Sequence, residues 1–199
     1  LAERDNFKKG ISTALNFRGI AYDKKGNYKK ALEDYAKSLA IAEEIGDKKK
    51  CSAVLKNIGI IYEKQGDFEK SLEYYFKSLR IREESGDKRG IASSLNGIGI
   101  VCRISGKYEQ ALAHFNKALE IWKEIEHANG VANALGNIAG VYYFQDDYKN
   151  ALKYALMTLS IMKETDNKYG IANSLSNIGE LYGALEDYDM ARDYYNRSF

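Results

Sequence analysis

A repeat of 40 residues constrains this chain more than any other feature of its sequence. Similar strings open at Gly90, Gly130 and Gly170, namely GIASSLNGIGIV, GVANALGNIAGV and GIANSLSNIGEL. Weaker copies open at residues 10 and 50, so five copies stand in register without insertion or deletion. Fixed periods of roughly 20 to 50 residues are typical of solenoids and arrays, in which each repeat is one supersecondary unit.

Each copy contains two helical patterns, a helix A followed by a helix B. In the second copy, Leu55, Ile58, Gly59 and Tyr62 follow the spacing of a buried helical stripe, which defines helix A. After the turn KQGDF, a second apolar stripe begins at Phe68 and defines helix B. The pattern therefore predicts an all-α fold.

Small residues recur at matching positions of the two helices. Helix A carries Gly19, Gly59, Gly99, Ala139 and Gly179, and helix B carries Ala31, Ser71, Ala111, Ala151 and Ala191. A glycine inside a helix costs about 1 kcal/mol relative to alanine, so its recurrence indicates that two helices approach closely there. Such pairs bury their apolar faces only by stacking on neighbouring copies, which predicts an extended α-solenoid.

These columns resemble the tetratricopeptide repeat. The matching motif is Leu-x-x-Ile-Gly-x-x-Tyr on helix A, then Gly-x-Tyr/Phe-x-x-Ala/Ser-x-x-x-Tyr/Phe-x-x-Ser/Ala-Leu. It is complete from Leu55 to Leu79 and present in all five copies with minor losses. The resemblance covers essentially the whole chain and implies an all-α, right-handed solenoid of antiparallel helix pairs, the TPR superhelix.

Two departures from the common tetratricopeptide pattern indicate a particular branch of the family. The chain contains no proline, and its period is 40 residues rather than about 34. In this it is similar to the long-repeat branch that includes kinesin light chains, Leu-Gly-Asn-rich spindle adaptors, Rap-type peptide sensors and arrays preceding bacterial signalling domains. The resemblance implies peptide or protein binding rather than catalysis.

The repeat register predicts one continuous solenoid domain. Residues 10–49, 50–89, 90–129 and 130–169 form the first four repeats, and 170–199 form a shorter fifth. Residues 1–9 align with 41–49, so we expect them to be the tail of helix B of a preceding repeat, the alternative being an atypical cap. We therefore expect a fragment of a longer array, in which uncovered Tyr194, Tyr195 and Phe199 promote end-to-end self-association.

Charge and hydropathy argue against several classes of partner. The chain has 30 Lys and Arg against 28 Asp and Glu, a net charge of +2, so a basic nucleic-acid surface is not expected. No apolar run approaches the roughly 18 residues that span a bilayer, and the signal-peptide pattern is missing. We expect no membrane contact by this segment and a cytoplasmic location.

No chemical motif suggests an enzyme or a cofactor. Cys51 and Cys102 form no CxxC pair, and neither His114 nor His127 lies near them in sequence, so zinc is not expected. Phosphate-binding loops and catalytic triad motifs are also missing. We therefore expect no catalytic residues, no cofactor and no metal.

Asparagines mark the candidate binding surface. Columns two and six residues before the helix A glycine lie roughly opposite the buried stripe, a side that lines the concave groove in tetratricopeptide solenoids. They place Asn133, Asn137, Asn173 and Asn177 on two adjacent helices, with Asn57 apart from them. Amides donate and accept, which suits the main chain of an extended peptide. The alternative is that the amides bond one another and set the helix spacing.

The resemblance assigns ligand-backbone contacts to Asn57, Asn137 and Asn177. At the same position, the first and third copies have Phe17 and Gly97 instead of asparagine. One residue after the helix A glycine, the chain has isoleucine in the first three copies, including Ile60 and Ile100, then Gly140 and Glu180. We expect an apolar surface that becomes polar and more open. Lys56, Lys64 and Arg103 project to the same side and would meet acidic ligand side chains, unless they are simply solvated.

The leading hypothesis is an interaction module that holds a peptide or partner segment in its groove, as the sensor or adaptor part of a larger protein. One alternative is a scaffold whose groove is filled by another part of its own chain. Another is a structural spacer that uses its ends and convex face.

Overall fold

The computed structural model describes residues 2–198, which form ten α-helices and contain no strand. These helices are α1 (Ala2–Lys24), α2 (Tyr28–Glu44), α3 (Lys48–Lys64), α4 (Phe68–Ser85), α5 (Lys88–Ile104), α6 (Tyr108–Glu124), α7 (Ala128–Phe144), α8 (Tyr148–Glu164), α9 (Lys168–Ala184) and α10 (Tyr188–Ser198). Odd-numbered helices are the predicted A helices, and even-numbered helices are the B helices. The expected all-α fold of helix pairs is confirmed.

Every turn between helices contains one residue in the left-handed conformation. It recurs every 20 residues, as Gly26, Gly46, Gly66, Gly86, Gly106, Glu126, Asp146, Asp166 and Glu186. At Gly46 the chain reverses because the next amide, of Asp47, returns to the carbonyl of Ala42 at 2.9 Å. The Asp47 carboxylate then accepts from the amide of Lys50 at 2.9 Å and caps α3. The 40-residue period is thus two half-repeats that share one turn design.

The start of the chain differs from the expected arrangement. Helix α1 runs without a break from Ala2 to Lys24, so residues 2–9 continue helix A of the first repeat. The aligned turn contains Gly46 and Asp47, but Asn6 and Phe7 stand at these two places. Phe7 has no side-chain oxygen with which to cap a new helix, which accounts for the missing turn.

The described helices divide into two compact units, Leu1–Val101 and Cys102–Phe199, with the division inside α5. In the first unit, the small-residue columns lie at helix contacts as predicted. The Ser71 hydroxyl donates to the Gly59 carbonyl at 3.0 Å, and a Cβ added at Gly59 would lie 3.3 Å from the Tyr75 ring. Buried Val54, Ile58 and Ile61 form the adjoining core.

The second unit has its own core, formed by seven buried residues of α7, α8 and α9: Ala139, Ala151, Ala155, Leu159, Leu175, Ile178 and Leu181. Tyr182 stacks on Tyr194 with ring centroids 5.3 Å apart, which leaves Tyr194 half-buried. Tyr195 is 39% exposed. Phe199, the third aromatic residue expected to be uncovered, lies outside the described residues.

Candidate peptide-binding surface

Four asparagines of the fourth and fifth repeats present their amides at the surface of the second unit. Asn133 and Asn137 lie on α7, and Asn173 and Asn177 lie on α9. Asn137 is half-buried and the other three are exposed. None of the four amides is hydrogen-bonded to another residue within 2–198, so their donors and acceptors are open to a ligand.

Asn57, in the first unit, has a different environment. Its side-chain Nδ2 donates to Oδ1 of Asn16 at 3.0 Å, and thereby links α3 to α1. Asn16 is buried, whereas Asn57 is half-buried. This contact matches the alternative in which amides bond one another and set the spacing between A helices.

Both lysines of the predicted surface have partners within the first unit. Nζ of Lys56 donates to Oγ of Ser93 at 2.9 Å, and burial, helped by the charge of Arg82, lowers the pKa of Lys56. Lys64 forms an ion pair with Asp23, with Nζ 2.7 Å from Oδ1. Each lysine would have to give up an internal contact to meet a ligand carboxylate.

The remaining predicted residues are partly covered. Ile60 on α3 and Ile100 on α5 are half-buried in the first unit. In the second unit, the guanidinium carbon of Arg103 lies 5.1 Å from the centroid of the Phe144 ring, which is the geometry of a cation–π contact. Phe144 is itself 54% exposed, so this pair presents an aromatic ring at the surface.

A pocket of about 280 Å³ opens between α7, α8 and α9. Its walls are Gly136, Ala139, Gly140, Tyr143, Phe144, Ala155, Thr158, Ser174, Asn177, Glu180 and Leu181. Buried Ala139, Ala155 and Leu181 form an apolar floor. Buried Ser174 also lines the pocket, and its hydroxyl donates to the carbonyl of Gly170 at 2.7 Å. Asn177 is the one predicted site residue in this lining, and Gly140 and Glu180 belong to the column expected to be more open.

One hydrogen bond spans the mouth of the pocket. The Tyr143 hydroxyl donates to Oε1 of Glu180 at 2.9 Å, which connects α7 to α9. This bond to the carboxylate raises the pKa of Tyr143. An acceptor carboxylate and the Asn177 amide therefore stand together at the edge of an apolar cavity.

One position of the repeat indicates this pocket in the sequence, although the family motif tolerates the exception there. Helix B carries Tyr35, Tyr75, Phe115 and Tyr195 in one column, and Ala155 is the fifth member. In a family motif, this alanine counts as a minor loss. In the folded unit, Ala155 lacks the aromatic ring of the other four repeats and lies at the floor of the cavity.

Within residues 2–198, no three His, Cys, Asp or Glu side chains are grouped closely enough to hold a metal ion. No helix in the same range is long and apolar enough to cross a membrane. Cys51 and Cys102 are buried free thiols.

Solved structures with the same fold cover most of this chain. BtubC (BKLC) from P. vanneervenii superposes with a TM-score of 0.85 at 22% identity, over 100% of this chain and 82% of that one. A Rap protein complexed with competence and sporulation factor gives 0.81 at 23% identity, over 92% and 52%. Aspartyl phosphate phosphatase F from Bacillus subtilis gives 0.88 at 16% identity, over 99% and 52%. The chain thus spans about half the length of the last two proteins.

Among curated protein sequences, no match was found. The family model described as tetratricopeptide repeat matches four overlapping stretches, residues 10–84, 51–124, 90–163 and 130–199. Together these stretches reach from the first repeat to the last residue. The chain belongs to the tetratricopeptide repeat family.

Proposed function

We propose that this chain is an interaction module that binds an extended peptide or partner segment across α7 and α9, as the sensor or adaptor part of a larger protein. The observation that carries the proposal is a set of four amides, Asn133, Asn137, Asn173 and Asn177, on two neighbouring A helices, which have no hydrogen-bond partner among residues 2–198. The segment acts by binding and not by catalysis.

An extended peptide backbone offers alternating N–H and C=O groups, and each amide side chain can pair with both. The four amides form two rows, Asn133 and Asn137 on α7 and Asn173 and Asn177 on α9, and only Asn137 is half-buried. Hydrogen bonds to the main chain leave the ligand side chains free to select for sequence. The rows of asparagines therefore hold the main chain of the peptide, and neighbouring pockets discriminate between peptide sequences.

The comparisons support binding in a general way. Tetratricopeptide repeats form protein-interaction scaffolds, and one structure of this fold is that of a Rap protein complexed with competence and sporulation factor. This shared architecture supports the proposal that the present chain binds a partner segment.

The test is selection of binders from a random dodecapeptide display library on the immobilised chain, followed by affinity measurement of the selected peptides by fluorescence anisotropy. The double variant Asn137→Ala/Asn177→Ala removes two amides. Since each hydrogen bond contributes roughly 0.5–1.5 kcal/mol, the dissociation constant is expected to rise roughly tenfold to a hundredfold.

Asn116→Ala/Asn196→Ala is the matched control, because it removes two exposed asparagines from the B helices α6 and α10. It should bind the selected peptides as the wild type does. Equal affinity of the wild type and the Asn137/Asn177 variant for every selected peptide would refute the proposed surface and favour a structural spacer.

We also propose weak self-association through the last helix, α10. Tyr188 is 71% exposed and Tyr195 39% exposed on this helix, so an apolar surface is open to a second copy. Sedimentation velocity at increasing concentration should show a rising average mass. A concentration-independent monomer at millimolar concentration would exclude this contact.

A further inference from the structure

We propose that the pocket between α7, α8 and α9 receives an aromatic side chain, of the size of phenylalanine or tyrosine, from the bound peptide. The inference rests on the proposed function for the source of that side chain. The pocket itself, its shape and its chemistry follow from residues of the second unit alone.

The second repeat shows what normally fills this position. Tyr75 is 2% exposed and lies between two A helices, α3 and α5. A Cβ added at Gly59 would lie 3.3 Å from its ring, and one added at Gly97 would lie 2.6 Å from it. The Tyr75 hydroxyl donates to Oε2 of Glu63 at 2.8 Å. An intramolecular phenol thus fills the space between neighbouring repeats.

The fourth repeat lacks this ring and has a cavity at the equivalent place. Eighty residues along the chain, the positions of Tyr75, Gly59 and Gly97 are taken by Ala155, Ala139 and Asn177. These three residues line the pocket. The cavity therefore lies where the repeat design places an aromatic side chain.

Two further losses enlarge the cavity toward the surface. Gly136 stands at the position of Lys56 and Asn96, and Gly140 at the position of Ile60 and Ile100. Both glycines line the pocket. An apolar cavity of about 150 Å³ is known to hold benzene, so about 280 Å³ is ample for a phenyl or phenol group.

The chemistry of the walls selects for an aromatic group with one polar end. The floor of Ala139, Ala155 and Leu181 offers only apolar contact, whereas Asn177 and Glu180 stand at the mouth. Exposed Phe144 adds a ring at the rim. An aromatic side chain buries a large apolar area with few rotatable bonds, and a tyrosine hydroxyl would reach the polar mouth. A charged side chain would lose its hydration on such a floor.

The probe for the test is p-cresol, the side-chain analogue of tyrosine, titrated into the ¹⁵N-labelled chain and followed by NMR. Saturable shifts are expected at the amides of Gly136, Gly140 and Ala155. In Ala155→Phe the chain fills its own pocket with an aromatic ring, as the other four repeats have at this position, and the affinity for p-cresol should fall at least tenfold.

Leu156→Phe is the matched control, because it adds the same ring at the next position of α8, which is 38% exposed and outside the pocket lining. It should bind p-cresol as the wild type does. If Ala155→Phe does not fold, Gly140→Ile closes the pocket from the opposite wall with the residue of the first three repeats, and the same loss is expected.

Two outcomes of the p-cresol titration would overturn the inference. One is the lack of saturable shifts at the pocket amides of the wild type. The other is equal p-cresol binding by folded Ala155→Phe and the wild type. Selected peptides that bind Ala155→Phe unchanged but lose affinity for Asn137→Ala/Asn177→Ala would also reject the pocket while leaving the proposed groove intact. Loss of affinity in the Ala155→Phe variant alone would support the pocket and reject the asparagine rows.

Discussion

The ring of Tyr75 lies directly against the backbone of Gly97, so that a Cβ added at Gly97 would be 2.6 Å from Cε1 of the ring. Tyr75 is buried and its hydroxyl is bonded to Glu63, so the ring cannot move aside cheaply. Gly97→Ala should therefore destabilise the chain by about 1–3 kcal/mol, the usual cost of overpacking. Urea unfolding followed by circular dichroism measures this loss.

Gly10→Ala is the control for that experiment. Gly10 also lies inside a helix, α1, but no atom of another described residue beyond its own helix stands within 4 Å of an added Cβ there. Alanine is the better helix former by about 1 kcal/mol, so this variant should be as stable as the wild type or more so. Equal stability of the two alanine variants would contradict the close contact between Tyr75 and Gly97.

Asn57 and Asn177 occupy the same sequence column but should respond differently to alanine. Asn57→Ala leaves the buried Oδ1 of Asn16 without its donor, which costs about 1–3 kcal/mol. Asn177→Ala removes an exposed amide without a partner among the described residues, so its effect on the free energy of unfolding should stay within about 0.5 kcal/mol. Equal losses in urea titrations would show that both amides are structural.

Much of the fold was accessible from the sequence because the repeat is exact. The period and the small-residue columns predict helix pairs and their close contacts, and the left-handed residue every 20 positions explains why the register never slips. The similarity of residues 1–9 to residues 41–49 predicts the end of a helix B and a turn, whereas α1 is continuous. Two residues, Asn6 and Phe7, decide whether a turn forms there.

The candidate site was less accessible, because a column gives the side of a helix but not the neighbours. The sequence placed Lys56 on the ligand side, yet Ser93, 37 residues away, holds its ammonium group. Gly97 interrupts the asparagine column, and the ring of Tyr75 lies against its backbone. Ala155 was visible as an exception, but its consequence depends on Gly136 and Gly140 lining the same cavity.

The N-cap of α6 offers a gain in stability. Lys107 makes no side-chain capping bond, whereas the equivalent Asp67 accepts from the amide of Lys70 at 3.2 Å. Lys107→Asp should stabilise the chain by about 1 kcal/mol, since it supplies a cap and a negative charge at the helix N-terminus. Lys117→Asp, at an exposed position within α6, makes the same charge change without a cap. Thermal unfolding that ranks both variants alike would refute the capping argument.

Asp34 should make the stability of the first unit depend on acid. Its buried carboxylate accepts from Nε of Arg18 at 2.6 Å and from Nη2 at 2.7 Å, and these bonds lower the pKa of Asp34 although burial opposes them. Because the pKa of Asp34 is lower in the folded than in the unfolded chain, the ion pair stabilises the fold fully above the unfolded-state pKa of about 4. This stability is lost as the pH falls through the folded-state pKa. Asp34→Asn should thus be less stable than the wild type at pH 7, by a margin that shrinks at pH 3. Glu33→Gln, which changes the adjacent exposed carboxyl, should stay close to the wild type at pH 7. A margin for Asp34→Asn that is equal at both pH values in urea titrations would assign its effect to packing rather than to the ion pair.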